Sequence, residues 1–270
     1  MSACFASHCW RAAACLALLA TAPWARADFA VAISPPRFEI QGQAGALLRQ
    51  TMEITNASAL PGKYRIKTAD WTYAPDGTVD FDEDLAPGSC RPWVALERRE
   101  LAVGGGRSYR YRFEVTPPAD TPAGECRFAI LVEGEEESTN TGSLTVPFNA
   151  RMAVIVYLAV GGAQPRLSIT GNTVLVVNGR PTPALQVRND GQAHGRLGGF
   201  LQGSDAGTSR LEFTPSTAPI LPGETRSIPL LPSRPGDPDG QVTLRFPVSV
   251  KGRLEWGKSE SRDIDLRFAP

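Results

Sequence analysis

Two groups of residues in this sequence have types and spacings that suit binding chemistry, and a pair of cysteines suits crosslinking. Arg37 follows the turn Ser34-Pro35-Pro36 and opens an alternating stretch, Arg37-Phe38-Glu39-Ile40. A guanidinium stays charged at any working pH and grips a carboxylate through two parallel hydrogen bonds, so an arginine held on a strand can anchor an anion. The plain alternative is a solvent-facing strand arginine. The second group is Leu144, Val146, Phe148, Ala150 and Met152, which share one face of an alternating stretch, with Val154 continuing their parity into the apolar run 153–160. Pro147 lies between them and cannot donate a ladder hydrogen bond, which marks a sheet edge or a strand end. This segment is either the last core strand of a domain or an edge that pairs with a partner chain. Cys90 and Cys126 are the only cysteines beyond residue 15. In an oxidising compartment they are expected to form one disulfide, worth roughly 3–4 kcal/mol through its closed loop. Two unpaired buried thiols are the alternative.

Catalysis has little to work with. His194 is the only histidine after His8, and it sits in Gly191-Gln192-Ala193-His194-Gly195, which reads as an exposed glycine-rich turn. Two distant cysteines and one histidine do not make a zinc site. Asp80, Asp82 and Asp84 have the first acidic spacing of a calcium loop, but Leu85 and Arg91 stand where that loop needs glycine and glutamate, so the segment reads as a solvated acidic loop. Gly104-Gly105-Gly106 has no helix after it and reads as a hairpin turn, not a phosphate cradle. The expectation is a protein that is not an enzyme and carries no cofactor and no metal.

The elements that must hold these residues are strands. Met52-Glu53-Ile54-Thr55 and Tyr109-Arg110-Tyr111-Arg112-Phe113 alternate with period two, as do shorter runs near 64–67, 128–132, 185–187, 242–246 and 264–268. Turn signals such as Leu60-Pro61-Gly62, Thr116-Pro117-Pro118 and Leu221-Pro222-Gly223 separate them. Only Trp93 to Leu101 suggests a helix, a short one. Met52 to Asn56 and Leu185 to Asn189 echo each other, each an alternating strand ending in asparagine. The reading is all-β: two immunoglobulin-like β-sandwich domains, 28–160 and 166–270, joined by a short hinge at 161–165. The stretch 133–140 reads as a mobile acidic loop.

Residues 1–27 read as a cleaved signal peptide. Arg11 precedes a short apolar run, and Ala25-Arg26-Ala27 fits a signal peptidase site. The sequence has 28 basic and 28 acidic residues, and removing Arg11 and Arg26 leaves two more acids than bases. That balance excludes a strongly basic nucleic-acid binder, and no later apolar run is long enough to span a bilayer. Hydrophobic residues at 42% and charged residues at 21% are ordinary for a globular protein.

Taken in order, Ala30 to Ile40 with its arginine, Met52 to Asn56 followed by Pro61 and Tyr64, Val146 to Tyr157, Leu185 to Asn189 and Ile220-Leu221-Pro222-Gly223 resemble the periplasmic chaperones of chaperone–usher pilus assembly. The resemblance implies a divergent member that acts in the periplasm. It would lend an edge strand to incomplete pilus subunits and deliver them to an outer-membrane usher. Leu144, Val146, Phe148, Ala150, Met152 and Val154 would then be the donor strand, and Arg37 would anchor the subunit's terminal carboxylate. The family pairs that arginine with a lysine, for which this sequence has Val154; either another residue such as Arg151 or Arg166 stands in, or this is a divergent branch with different clients. A free chaperone of this kind could cap its own edge by dimerising. The alternative reading is a two-domain structural or adhesive protein of the cell surface without chaperone activity.

Overall fold

The computed structural model describes residues 31–74, 77–134, 137–141, 144–148, 150–238, 240–257 and 259–269, with backbone alone over 137–141 and 144–148. The expected signal peptide, 1–27, lies outside the described residues. The first half holds β1 (Val31–Ser34), β2 (Arg37–Gly42), β3 (Leu48–Asn56), β4 (Gly62–Tyr73), β5 (Val79–Asp82), β6 (Val94–Leu96), β7 (Glu100–Val103), β8 (Ser108–Val115), β9 (Gly124–Gly134), β10 (Glu137–Thr141), β11 (Leu144–Phe148) and β12 (Arg151–Val160). The second half holds β13 (Leu167–Val177), β14 (Arg180–Asn189), β15 (Gly198–Ser204), β16 (Arg210–Pro215), β17 (Thr225–Ser233), β18 (Val248–Trp256) and β19 (Glu260–Phe268). The fold is all-β.

In the first half, the sheet β1-β3-β8-β6 faces the sheet β2-β12-β9-β4-β5, which also carries β7 on β4. The alternation in the sequence explains why. Met52, Ile54, Tyr111, Phe113 and Val115 point inward from one sheet, and Phe38, Phe128, Ile130, Val132, Val154, Val156 and Leu158 from the other. Phe113 meets Phe38 and Phe128 edge to face, with ring centroids 5.1 and 6.5 Å apart. Cys90 and Cys126 form the disulfide, 36 residues apart in sequence. The short helix expected over 93–101 is absent. A single 3-10 turn, Arg91–Trp93, is followed by β6 and β7, because Leu96 pairs with Phe113 and Leu101 with Tyr64. Here strand pairing overrides a weak local preference.

The second half forms one continuous path, β13-β14-β17-β16-β15-β18-β19. It curls into a sandwich at β17, whose first residues, 225–229, pair with β14 while 230–233 pair with β16. Leu185, Val187, Leu201, Phe213, Ile228, Leu230, Val250 and Phe268 fill its core. The outermost strands come together where the Asn172 amide donates to the Arg267 carbonyl at 3.2 Å. Between the halves, Gly161 and Gly162 both lie in the left-handed region, with φ of 66° and 77°, which glycine adopts without the Cβ penalty.

Beyond the first sandwich, the chain continues as a hairpin instead of the acidic loop expected over 133–140. β10 pairs with β11 antiparallel, Thr141 opposite Leu144 and Glu137 opposite Phe148. This hairpin extends the β9–β12 pair, in which Arg151 lies opposite Glu133. Three residues of chain separate Phe148 from Arg151 but four separate Glu133 from Glu137, a one-residue register offset between hairpin and sheet.

Candidate binding cleft between the two sandwiches

β12 sets the geometry. β9 pairs with it along its whole length, Arg151 to Val160. β2 pairs with it in parallel only from Ile155, which lies opposite Arg37. The preceding residues, Arg151 to Val154, therefore have no strand on that side among the described residues, and their backbone edge is open. Side chains alternate along β12. Val154, Val156, Leu158 and Val160 face the core, while Ala153, Ile155 and Tyr157 lie on the outer face with Ala69, Trp71, Ala129 and Leu131.

That alternation places one residue of the expected donor set inward. Val154, placed in the donor set by parity, is 1% exposed and belongs to the core between the two sheets. A strand with two packed faces sends every second residue inward, so a partner cannot take Val154 as an outward side chain. Met152 and Ala150 are half-buried at the open end. Leu144, Val146 and Phe148 lie in β11, outside the first sandwich's sheets.

Arg37, Glu39 and Gln41 point away from the core, because Phe38 and Ile40 take the inward positions of β2. They meet the second sandwich across a cavity of about 510 Å³, lined also by Glu125, Tyr157, His194 and Arg196. Arg37 Nε sits 2.9 Å from Glu39 Oε1, and Arg196 Nη1 sits 2.6 Å from the same oxygen. Two guanidiniums, one from each sandwich, thus converge on one carboxylate. Arg37 is half-exposed, whereas only 16% of the Arg196 side chain is exposed. The Arg196 guanidinium also donates to the Thr217 carbonyl at 3.0 Å and lies over the Tyr157 ring, 5.1 Å from its centroid.

Behind this pair is a buried acid. Glu125, with a side chain 1% exposed, accepts the His194 backbone N–H at 2.8 Å and meets His194 Nδ1 at 2.5 Å through Oε2. Its Oε1 has no hydrogen-bond partner among the described residues and faces Arg127 Nη1 at 3.8 Å. His194 stacks on Tyr157, ring centroids 3.8 Å apart. Burial pushes the Tyr157 phenol above its ordinary range, and the Arg196 charge opposes this in part. A second bridge lies nearby. The Arg226 guanidinium donates to the Ala74 carbonyl at 3.1 Å and the Tyr73 carbonyl at 3.2 Å, and lies 4.3 Å from the Tyr73 ring centroid.

No protein-family model and no curated protein sequence matches the chain. Among solved structures, the chain is similar to several fimbrial chaperones. A class 5 fimbriae chaperone, CfaA, has 13% identity and a TM-score of 0.48, over 89% of this chain and 100% of that one. The Escherichia coli chaperone DraB has 15% identity and a TM-score of 0.46, over 88% and 99%. A Salmonella enterica structure of the SafA pilin in complex with the SafB chaperone has 13% identity and a TM-score of 0.47, over 88% and 97%.

The structure brings Arg37 into the cleft but not Arg151. The Arg151 guanidinium pairs with Glu83 at 3.2 Å and Glu133 at 3.7 Å and lies over Phe81, four residues before the position where β12 meets Arg37. Arg166 does not stand in either: it lines a different cavity, with Trp256 and Glu260. The second guanidinium at Glu39 is that of Arg196, which sequence reading missed because it lies 157 residues away on the other sandwich. Glu39 was findable, since period two puts it on the same face as Arg37. His194 is not the exposed loop residue expected; only 9% of its side chain is exposed. The segment Asp80 to Asp84 contributes β5 and an ion pair between Glu83 and Lys67 at 2.6 Å. Among the described residues, no cluster of histidine, cysteine or acidic groups is suited to a metal ion, and no helix is long and apolar enough to cross a membrane.

Proposed function

We propose that this protein is a periplasmic chaperone for secreted fibre subunits that lack a final strand, and that it delivers them to an outer-membrane usher. Such a subunit exposes a hydrophobic groove, at a cost of roughly 25 cal/mol per Å² of apolar surface left in water. The chaperone lends the open edge at Arg151 to Val154, continued by β11, so that backbone hydrogen bonds supply affinity and outward side chains enter the groove. Leu144, Val146 and Phe148 are the proposed plug. The subunit's terminal carboxylate binds between Arg37 and Arg196, in place of the Glu39 carboxylate or beside it.

One observation carries this reading: the last strand of the first sandwich outruns β2 by four residues, and the cleft with two arginines lies where pairing begins. An open edge and an anion site at its end suit a chain terminus that adds as a strand. The test is coexpression of the exported chain with small secreted proteins encoded beside it, alongside Arg37→Ala and Arg196→Ala. A one-to-one complex weakened in both variants supports strand lending and carboxylate anchoring together. A complex unaffected by either keeps the chaperone and removes the anchor. No complex with any neighbour returns the protein to a structural or adhesive surface role.

A further inference from the structure

Three buried side-chain polar atoms have no hydrogen-bond partner among the described residues: Trp71 Nε1, Glu125 Oε1 and Arg127 Nη1. All three residues line one cavity of about 790 Å³, at the end of the first sandwich where Gly124 and Val160 lead toward the hinge. A buried polar group left without a partner costs free energy, and native folds rarely leave one, so three around one cavity call for a common partner.

The strands place these atoms together. β4 pairs with β9 up to Ala69 opposite Ala129, and period two then brings Trp71 beside Arg127, whose guanidinium lies 5.8 Å from the indole ring centroid. Arg127 Nη1 is 3.8 Å from Glu125 Oε1, too far for a hydrogen bond. Trp71 is 9% exposed and the Glu125 side chain 1%. His194 holds the other Glu125 oxygen on the cleft side, so Oε1 is the atom left for this cavity.

Two donors and one acceptor therefore await a group that accepts and donates on the same side. One residue of an extended peptide does this, as it does when strands exchange paired bonds. Its C=O accepts from Trp71 and Arg127, and its N–H donates to Glu125. The walls state what side chain such a peptide carries. Phe81, Trp93, Pro118 and Pro122 supply apolar surface, and Asp80, Asp82 and Asp120 supply carboxylates. Asp70 is already matched by Arg91 at 3.3 Å, which leaves an acidic surplus. Aromatic rings beside acids suit a lysine, whose stem packs while its ammonium meets charge. These acids form no cluster suited to a metal ion among the described residues. The volume lies within the range of about 300–1,000 Å³ usual for ligand sites.

We propose that this cavity binds a short extended peptide segment that carries a lysine, held through its backbone by Trp71, Arg127 and Glu125. The site stands apart from the chaperone reading, since neither Arg37 nor the open edge of β12 lines it.

The indole N–H of Trp71 reports binding directly. Beyond residue 27 the tryptophans are Trp71, Trp93 and Trp256, and Trp256 lines a different cavity, so it is the control. The experiment is an NMR titration of the exported chain with Gly-Lys-Gly, capped by acetyl and amide groups. The same is done with capped Gly-Glu-Gly and with butylamine. The expected result is a saturable downfield shift of the Trp71 indole with the lysine peptide alone, while Trp256 stays in place. Asp120→Asn and Glu125→Gln should each weaken binding about fivefold or more, as expected for one lost hydrogen bond or charge. No saturable shift at Trp71 overturns the proposal and leaves the three atoms to ordered water only. An equal shift with the glutamate peptide or with butylamine overturns it too, as does movement of Trp256 in step with Trp71. The wild-type titrations decide the matter even if a variant does not fold.

Discussion

The phase of β12 can be tested with one buried methyl pair. Val154→Ala removes two methyl groups from a residue 1% exposed in the first core. At about 0.8 kcal/mol per buried group, the transfer loss is about 1.6 kcal/mol, and the residual cavity adds to it at roughly 24 cal/mol per Å³. The expected destabilisation is about 2–3 kcal/mol. Ile155→Ala removes more atoms, but from a half-buried side chain on the opposite face, and should cost about 1–2 kcal/mol. Urea unfolding followed by circular dichroism, with the disulfide intact, gives both values from midpoint shifts at constant slope. Capture of a client should survive Val154→Ala in conditions where the variant is folded. An unchanged midpoint together with lost capture would refute the argument, because it would put Val154 on the partner-facing side as sequence parity had suggested.

Glu39→Gln removes the carboxylate that Arg37 and Arg196 share, so peptides ending in a free carboxylate should bind more tightly than to the wild type by isothermal titration, while amidated peptides show no gain. Arg226→Ala removes donors to the Ala74 and Tyr73 carbonyls and should raise amide exchange in both sandwiches' facing loops without lowering the second sandwich's own unfolding midpoint. The Tyr109 hydroxyl, then the Arg112 backbone N–H, hold the Glu97 carboxyl below its usual range, and Lys67 does the same for Glu83. A lowered carboxylate contributes stability that is present above the usual carboxylate range and lost as pH falls through the lower folded range. Urea midpoints should therefore drop below about pH 4.5, and less steeply in Glu97→Gln.

Strand content was legible because the core residues alternate: Met52 with Ile54, and Tyr111 with Phe113 and Val115, needed only period two to be sorted onto one face. The disulfide was expected from the only two cysteines beyond residue 15, and the structure forms it. Three features were not legible, each for a physical reason. The burial of Val154 was not legible because parity sorts side chains onto one face without saying whether that face meets the protein's own core. β10 was taken for a loop because acidic and polar residues weaken the strand pattern, yet β11 provides it with a partner. Arg196 and His194 sit in a turn that carries no strand or motif signal. Their roles arise only when the hinge folds that turn onto Tyr157 and Glu125, 69 residues from His194.

The same distance bears on the proposed carboxylate site, where two guanidiniums meet at Glu39 although the expected lysine is absent. The lysine's position is filled by Val154, and the core rewards that choice, since a buried valine there completes the layer of Val156 and Leu158. A lysine on that inward face would carry an unpaired charge into the core. In the proposed site the second charge comes from the opposing sandwich, through Arg196. A guanidinium held by the Thr217 carbonyl and the Tyr157 ring keeps its geometry better than a flexible ammonium would. If the proposed site binds a carboxylate, that binding depends on domain closure, because one cation sits on each side of the cleft. Arg37 alone, half-exposed and paired with Glu39, is a weak site of the kind that solvent screens. Arg37 and Arg196 stand together only while the sandwiches stay closed, so on the proposed reading the contacts that hold them closed are part of the carboxylate site itself.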